Sequence, residues 1–108
     1  MIFDIHTHTF PDKIAGATIE KLQSMCHTVA FSDGTEAGLT ASMAAAGVEG
    51  CLVLPVATNA RQVVHVNDAS ARLNDTGPET GLWSFGCMHP DFSDWKAELA
   101  RIADLGMK

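Results

Sequence analysis

The run Cys51-Leu52-Val53-Leu54, closed by Pro55, limits the possible folds more than any other part of this chain. It is continuously apolar rather than alternating, which is the pattern of a parallel strand buried on both faces. Proline then stops it, having no N–H to give to a ladder. Parallel neighbours must be joined by crossovers, so such a strand demands helical segments before and after it.

The flanking sequence supplies them. Upstream, Thr35 is an N-cap for a helix carrying Leu39, Met43 and Ala46, with Gly47 placed to end it. Downstream, Thr58 or Asn59 caps a helix through Val63, Val66, Ala69 and Leu73, and Thr76-Gly77-Pro78 is expected to break it. Gly81 to Met88 reads as a third strand ending at His89-Pro90. Ser93 or Asp94 then caps a last helix, expected to turn Trp95, Leu99, Ile102 and Leu105 inward before Gly106 closes it.

The start of the chain follows the same grammar. A short opening strand runs into Thr9-Phe10-Pro11-Asp12, a helix entry with Pro11 tolerated in the first turn. Ile14, Ala15, Thr18, Ile19 and Leu22 then form one stripe of a helix reaching about Met25. Phe10 either lines a pocket or, preferably, packs on that helix. Between Cys26 and Gly34 the pattern is weakest: residues 27–31 read as a short extended piece turned by Ser32-Asp33-Gly34. The order is therefore β-α-(α)-β-α-β-α, an α/β chain with a parallel sheet.

Composition narrows the function. With 108 residues the chain is one domain at most, and 46% hydrophobic with 19% charged residues is a globular composition. A net charge of −6 without a basic cluster argues against a nucleic-acid partner. No apolar stretch reaches the roughly 18 residues of a membrane span, and no secretion signal is read at the N-terminus. Cys26, Cys51 and Cys87 are odd in number and widely spaced, which suggests reduced, mostly buried thiols in a cytoplasmic protein. His27 and His65 sit in no constellation and are expected at the surface.

The chemistry concentrates in Asp4-Ile5-His6-Thr7-His8. Alternation along a strand puts Asp4, His6 and His8 on one face and Phe3, Ile5 and Thr7 on the other, where a helix layer is expected to cover the apolar pair. Two imidazoles one pleat apart near the C-terminal end of a rigid strand can meet a single cation. The plainer reading is a pair of surface histidines. Parallel α/β folds keep their chemistry at the C-terminal ends of strands, which favours the metal reading and also draws in His89.

These residues carry a resemblance. The opening Asp4–His8, followed by Phe10-Pro11-Asp12-Lys13-Ile14, resembles the start of the amidohydrolase superfamily, and more narrowly its amidohydrolase-2 group of metal-dependent TIM-barrel hydrolases and decarboxylases. Leu52–Asn59 and Ser84–Asp91 are similar to the second and third barrel strands of that group. The resemblance implies that residues 1–108 are the first three βα units of a (β/α)8 barrel. It implies that His6 and His8 bind a divalent metal, most often zinc, with manganese or iron also accepted by histidine. The metal would lower the pKa of bound water to about 7 and polarise a carbonyl or carboxylate of a small organic substrate. Asp4 would orient an imidazole, and His89 would touch substrate or metal.

The chain departs from that family in length, since a full barrel takes roughly 200 residues or more. No residues match the later ligands or the catalytic aspartate, and two protein ligands are fewer than the three of a catalytic zinc. The expectation is a hydrolase portion, inactive as it stands, that lacks a C-terminal part or assembles as a homo-oligomer burying surface such as Val53 and Phe85. PHP-type phosphoesterases open with a similar strand, but they follow it with a ligand cluster that is absent after Pro11. A non-catalytic, oligomeric half-barrel is the remaining alternative.

Overall fold

A computed structural model describes all residues, 1–108. Strand β1 (Phe3–Thr7) leads to helix α1 (Asp12–Cys26) and helix α2 (Glu36–Ala46). Strand β2 (Gly50–Val53), a 3₁₀ turn (Ala60–Gln62), helix α3 (Val63–Thr80), strand β3 (Leu82–Ser84) and helix α4 (Trp95–Asp104) follow. The strands form one sheet in the order β1-β2-β3, every pair parallel. No helix is long and apolar enough to cross a membrane.

Local chemistry accounts for most of the boundaries. Pro11 stands just before α1, where a missing N–H removes no helical bond. Thr35 caps α2 by accepting the N–H of Gly38 at 2.9 Å, and Gly47 ends it at φ 67, a conformation glycine adopts without Cβ strain. Asn59 caps the 3₁₀ turn through Arg61 N–H.

The core lies where the sheet meets α2 and α3. Cys51 and Val53 of β2 pack with Leu82, Met43 and Leu73, flanked by Leu39 and Val48. The unbroken apolar run thus sits in the central strand. Beside this core, Ser84 Oγ donates to the main-chain oxygen of Val53 at 2.8 Å and lies 3.0 Å from Ser70 Oγ, so a hydroxyl pair ties both strands to α3.

Four expectations are corrected. First, α3 does not break at Gly77-Pro78 but runs to Thr80 and turns at Gly81, φ 73. The fixed φ of Pro78 is compatible with a helix, and the cost of its lost N–H bond and of its ring against the Asn74 carbonyl falls in the last turn, with only two residues left to Thr80. Asn74 also clamps Ser84 through both backbone groups, accepting its N–H at 2.7 Å and donating to its oxygen at 3.0 Å. That clamp ties α3 to β3 across the turn at Gly81.

Second, of the four residues expected inward on α4 only Ile102 is buried. Ile102 and Glu98 are buried, at 6% and 5% exposure, while Trp95, Leu99 and Leu105 stay largely exposed. The reason is polar. Glu98 accepts from Asn67 Nδ2 at 2.7 Å and from Arg101 at 2.8 Å, and Arg101 reaches Asp68 of α3. This network rotates α4 away from its most apolar stripe.

Third, the Phe3/Ile5 face of β1 has no helical cover: Phe3 is 45% exposed and Ile5 71%. The Phe3 ring instead fills the space a side chain at Gly50 would take. Val53, expected among the surface for association, already belongs to the core, whereas Phe85 is exposed. Fourth, residues 27–31 form no strand. The loop is held by Ala30 N–H on Gln23 Oε1 and by Phe10 N–H on the Gly34 oxygen. Of the cysteines only Cys51 is buried; Cys87 is half-buried and Cys26 exposed.

Candidate functional site

The C-terminal end of β1 brings His6 and His8 together. Their ring centroids are 5.2 Å apart with planes at 72°. The register between β1 and β2 shifts between Asp4 and Thr7, so the strand is irregular where the histidines stand. Beyond the shift, β1 is still tied to β2. Leu54 N–H donates to the Thr7 oxygen at 2.8 Å, and Thr7 Oγ1 donates to the Leu52 oxygen at 3.0 Å.

His8 is held one step further on. Its Nδ1 lies 2.9 Å from the main-chain oxygen of Leu54. A carbonyl oxygen can only accept, so the proton resides on Nδ1 and the Nε2 lone pair is left free. Metal-binding histidines are commonly oriented in this way, the second nitrogen donating to a carbonyl. Sequence reasoning missed this partner because it is a backbone atom, on which the identity of residue 54 leaves no signature.

The other candidates lie differently. Asp4 is exposed, and its carboxylate accepts the backbone N–H of His6 at 3.0 Å, so it steadies the bulged strand rather than an imidazole. His89 accepts the N–H of Asp91 on Nδ1 at 3.2 Å, with Asp91 Oδ2 at 3.9 Å. That contact engages the Nδ1 lone pair within its own turn. No group of three His, Cys, Asp or Glu side chains converges anywhere in the chain, so neither Asp4 nor His89 completes a ligand set with the histidine pair.

An open groove of about 930 Å³ lies beside His8. Phe10, Ile14, Ile19 and Leu22 form its apolar wall, while Val56, Thr58 and Gln62 come from the segment after β2. Thr58 donates both N–H and Oγ1–H to Gln62 Oε1, which fixes that side. Phe10 was legible as a pocket candidate. Thr58 and Gln62 were not, because only the crossover brings them near α1.

The shifted acidities lie mostly away from the histidines. Hydrogen bonds from Arg101 hold the Glu98 carboxyl below the usual range, against burial, which pushes the other way. Burial raises the Cys87 thiol, as it does Cys51, whose thiolate the nearby Asp4 charge also disfavours. Thiols of this kind are poor nucleophiles and poor ligands at neutral pH.

Comparison with protein-family models, with curated proteins and with solved structures gives no match.

Proposed function

We infer that this chain is the metal-binding portion of a metal-dependent hydrolase or carboxy-lyase of the amidohydrolase type, built as the first three βα units of a TIM barrel. The observation that carries the reading is the His6–His8 pair at the C-terminal end of β1, with His8 Nδ1 on the Leu54 oxygen and Nε2 left free. The parallel β1-β2-β3 order agrees with the opening of such a barrel. The groove beside His8 is large enough for a small organic substrate.

Residues 1–108 do not fit a complete catalytic zinc. Two imidazoles are present where three protein ligands and a water are usual, and the one carboxylate beside them, Asp4, is taken up by the His6 backbone N–H. Hydrolysis by this centre therefore requires a third ligand and a proton acceptor from outside these residues. The same shortfall favours a second reading, a metal-holding module that does not catalyse.

Elemental analysis of zinc-treated chain, beside turnover of p-nitrophenyl acetate and p-nitrophenyl phosphate, separates the readings. Zinc retention lost in His6→Ala/His8→Ala is the expected result, with zinc-dependent cleavage of the ester only when free imidazole is added to supply the missing ligand and proton acceptor. Faster phosphate cleavage would point to a phosphoesterase of the PHP type. Bound zinc without turnover even in added imidazole would leave the non-catalytic module, and a folded chain that retains no zinc would sink every metal reading.

A further inference from the structure

We propose that the groove beside His8 binds a medium-chain monocarboxylate, its carboxylate on Lys21 and Thr18 and its apolar chain laid along α1 toward His8. The proposal rests on the part of the reading above that makes this groove a substrate site, and it stands apart from the metal.

The wall of the groove calls for an apolar chain. Ile14, Leu22, Met25 and Val56 line it, and each is at least 40% exposed. On α1 the lining residues Ile14, Thr18, Lys21, Leu22 and Met25 recur at three- and four-residue spacing, so they share one face of the helix. The one buried residue of α1 is Ala15, outside that set, so the apolar stripe lies open to water. An alkyl chain laid on it would take that surface out of water. The groove volume of about 930 Å³ falls in the range of small-molecule sites.

The same face carries the head-group site. Lys21 stands inside the apolar stripe and takes part in none of the chain's ion pairs. Thr18, half-buried, lies one turn earlier, and its hydroxyl is not engaged as those of Thr40, Thr76 and Thr80 are on their helices. Residues three apart on a helix are neighbours, so one carboxylate can meet both the ammonium and the hydroxyl.

Charge selects an anion. The chain holds 13 Asp and Glu residues, and none of them lines the groove. Asp33, between the lining residues Ser32 and Gly34, turns its carboxylate to the N–H and hydroxyl of Thr35, at 2.9 and 2.8 Å. Physiological salt screens exposed charges beyond about 8 Å, so Lys21 governs the potential there more than the net charge of −6 does.

Length fits the same ligand. From Lys21 back to Ile14 the helix rises about 10 Å, and Phe10 carries the wall on to His8. The carboxylate is thereby an anchor, set apart from His8, and the far end of the chain is what reaches the imidazole.

Isothermal titration of the chelator-stripped chain with decanoate, below its micelle concentration, tests this beside decyltrimethylammonium, which has the same tail and the opposite charge. One decanoate per chain is expected, bound about tenfold more tightly than the cation. Affinity should rise by about two- to fourfold per methylene from hexanoate to decanoate. Lys21→Gln should weaken decanoate by about two- to fivefold and Lys21→Glu should abolish the preference for the anion, while Lys21→Arg and the remote Lys96→Gln should leave it. Equal affinity for the two head groups overturns the proposal, as does decanoate binding that Lys21→Glu leaves unchanged, or no binding to the folded chain. The head-group comparison is read on the unaltered chain, so a misfolded variant does not obscure it. Zinc retention is measured separately: decanoate bound by a chain that holds no zinc sinks the metal reading alone, and zinc without decanoate sinks this proposal alone.

Discussion

His8 donates its Nδ1 proton to the main-chain oxygen of Leu54 across 2.9 Å, joining the residue after β1 to the residue after β2. One contact thereby sets the tautomer of an imidazole and locks the C-terminal ends of two parallel strands. A metal ligand and a structural tie are the same side chain. The consequence is that the candidate site depends on the β1–β2 pairing, and not only on the spacing of two histidines.

That dependence is testable on the ligand itself. Replacing His8 by alanine is expected to lower zinc affinity by more than the about 10–100-fold that follows from losing a supporting partner alone. His8→Gln, which can still donate to the Leu54 oxygen, should keep the thermal midpoint while losing zinc. Isothermal titration beside thermal melts reads both, and equal zinc affinity in the two variants and the parent would refute the ligand role.

Gly77 and Trp83 form a packed pair. A Cβ on Gly77 would come within 2.7 Å of the Trp83 ring. Gly77→Ala should therefore destabilise by about 1–3 kcal/mol through overpacking, outweighing the gain of about 1 kcal/mol in helix propensity. In a Trp83→Ala background the same change should become stabilising. Urea denaturation of the four proteins of the cycle measures the coupling, and purely additive effects would refute it.

Asn67 is fully buried and serves three partners at once: the N–H and the oxygen of Cys87, and Glu98 Oε1. Asn67→Ala takes this partner from the Cys87 N–H and oxygen and leaves Glu98 to Arg101 alone, and should cost about 2–4 kcal/mol. Leaving Ser93, in the exposed turn before α4, for comparison, Ser93→Ala should lie within about 0.5 kcal/mol of the parent. The difference in urea midpoint between the two variants is the measurement.

Acid should loosen the α3–α4 contact. Hydrogen bonds from Arg101 and Asn67 depress the folded-state pKa of Glu98 below its unfolded value. Its contribution is then fully present above the unfolded carboxylate value of about 4.3, and is lost as pH falls through the depressed folded value. Thermal midpoints between pH 7 and pH 3 should fall at the acid end, and Glu98→Gln should flatten that limb. An unchanged slope in the variant would show that other carboxylates govern it.

Much of the fold was legible because its signals are local. The Thr35 cap and the Gly47 stop, Pro11 before α1, and the apolar run of β2 each depend on a handful of neighbouring residues, and each stands where those residues place it. The histidine pair was legible only in part: His6 lies on β1, while His8 stands just past its end and is placed by its bond to the Leu54 oxygen. The faces of α4 were not. Trp95, Leu99 and Leu105 are the stronger apolar stripe, yet Glu98 is drawn inward by Asn67, which lies 31 positions away. No window of sequence contains that pull.

By itself, then, the sequence determined the order of elements, the parallel character of the sheet and the place of His6 on β1. These follow from side-chain period, caps and the impossibility of a proline in a central ladder. Only the tertiary structure decided that α3 passes through Pro78, that α4 buries a carboxylate, that Asp4 holds the His6 backbone, and that no third ligand joins the histidines. Those outcomes depend on groups distant in the chain competing for the same hydrogen bonds and the same space, and that competition is settled only when the elements pack.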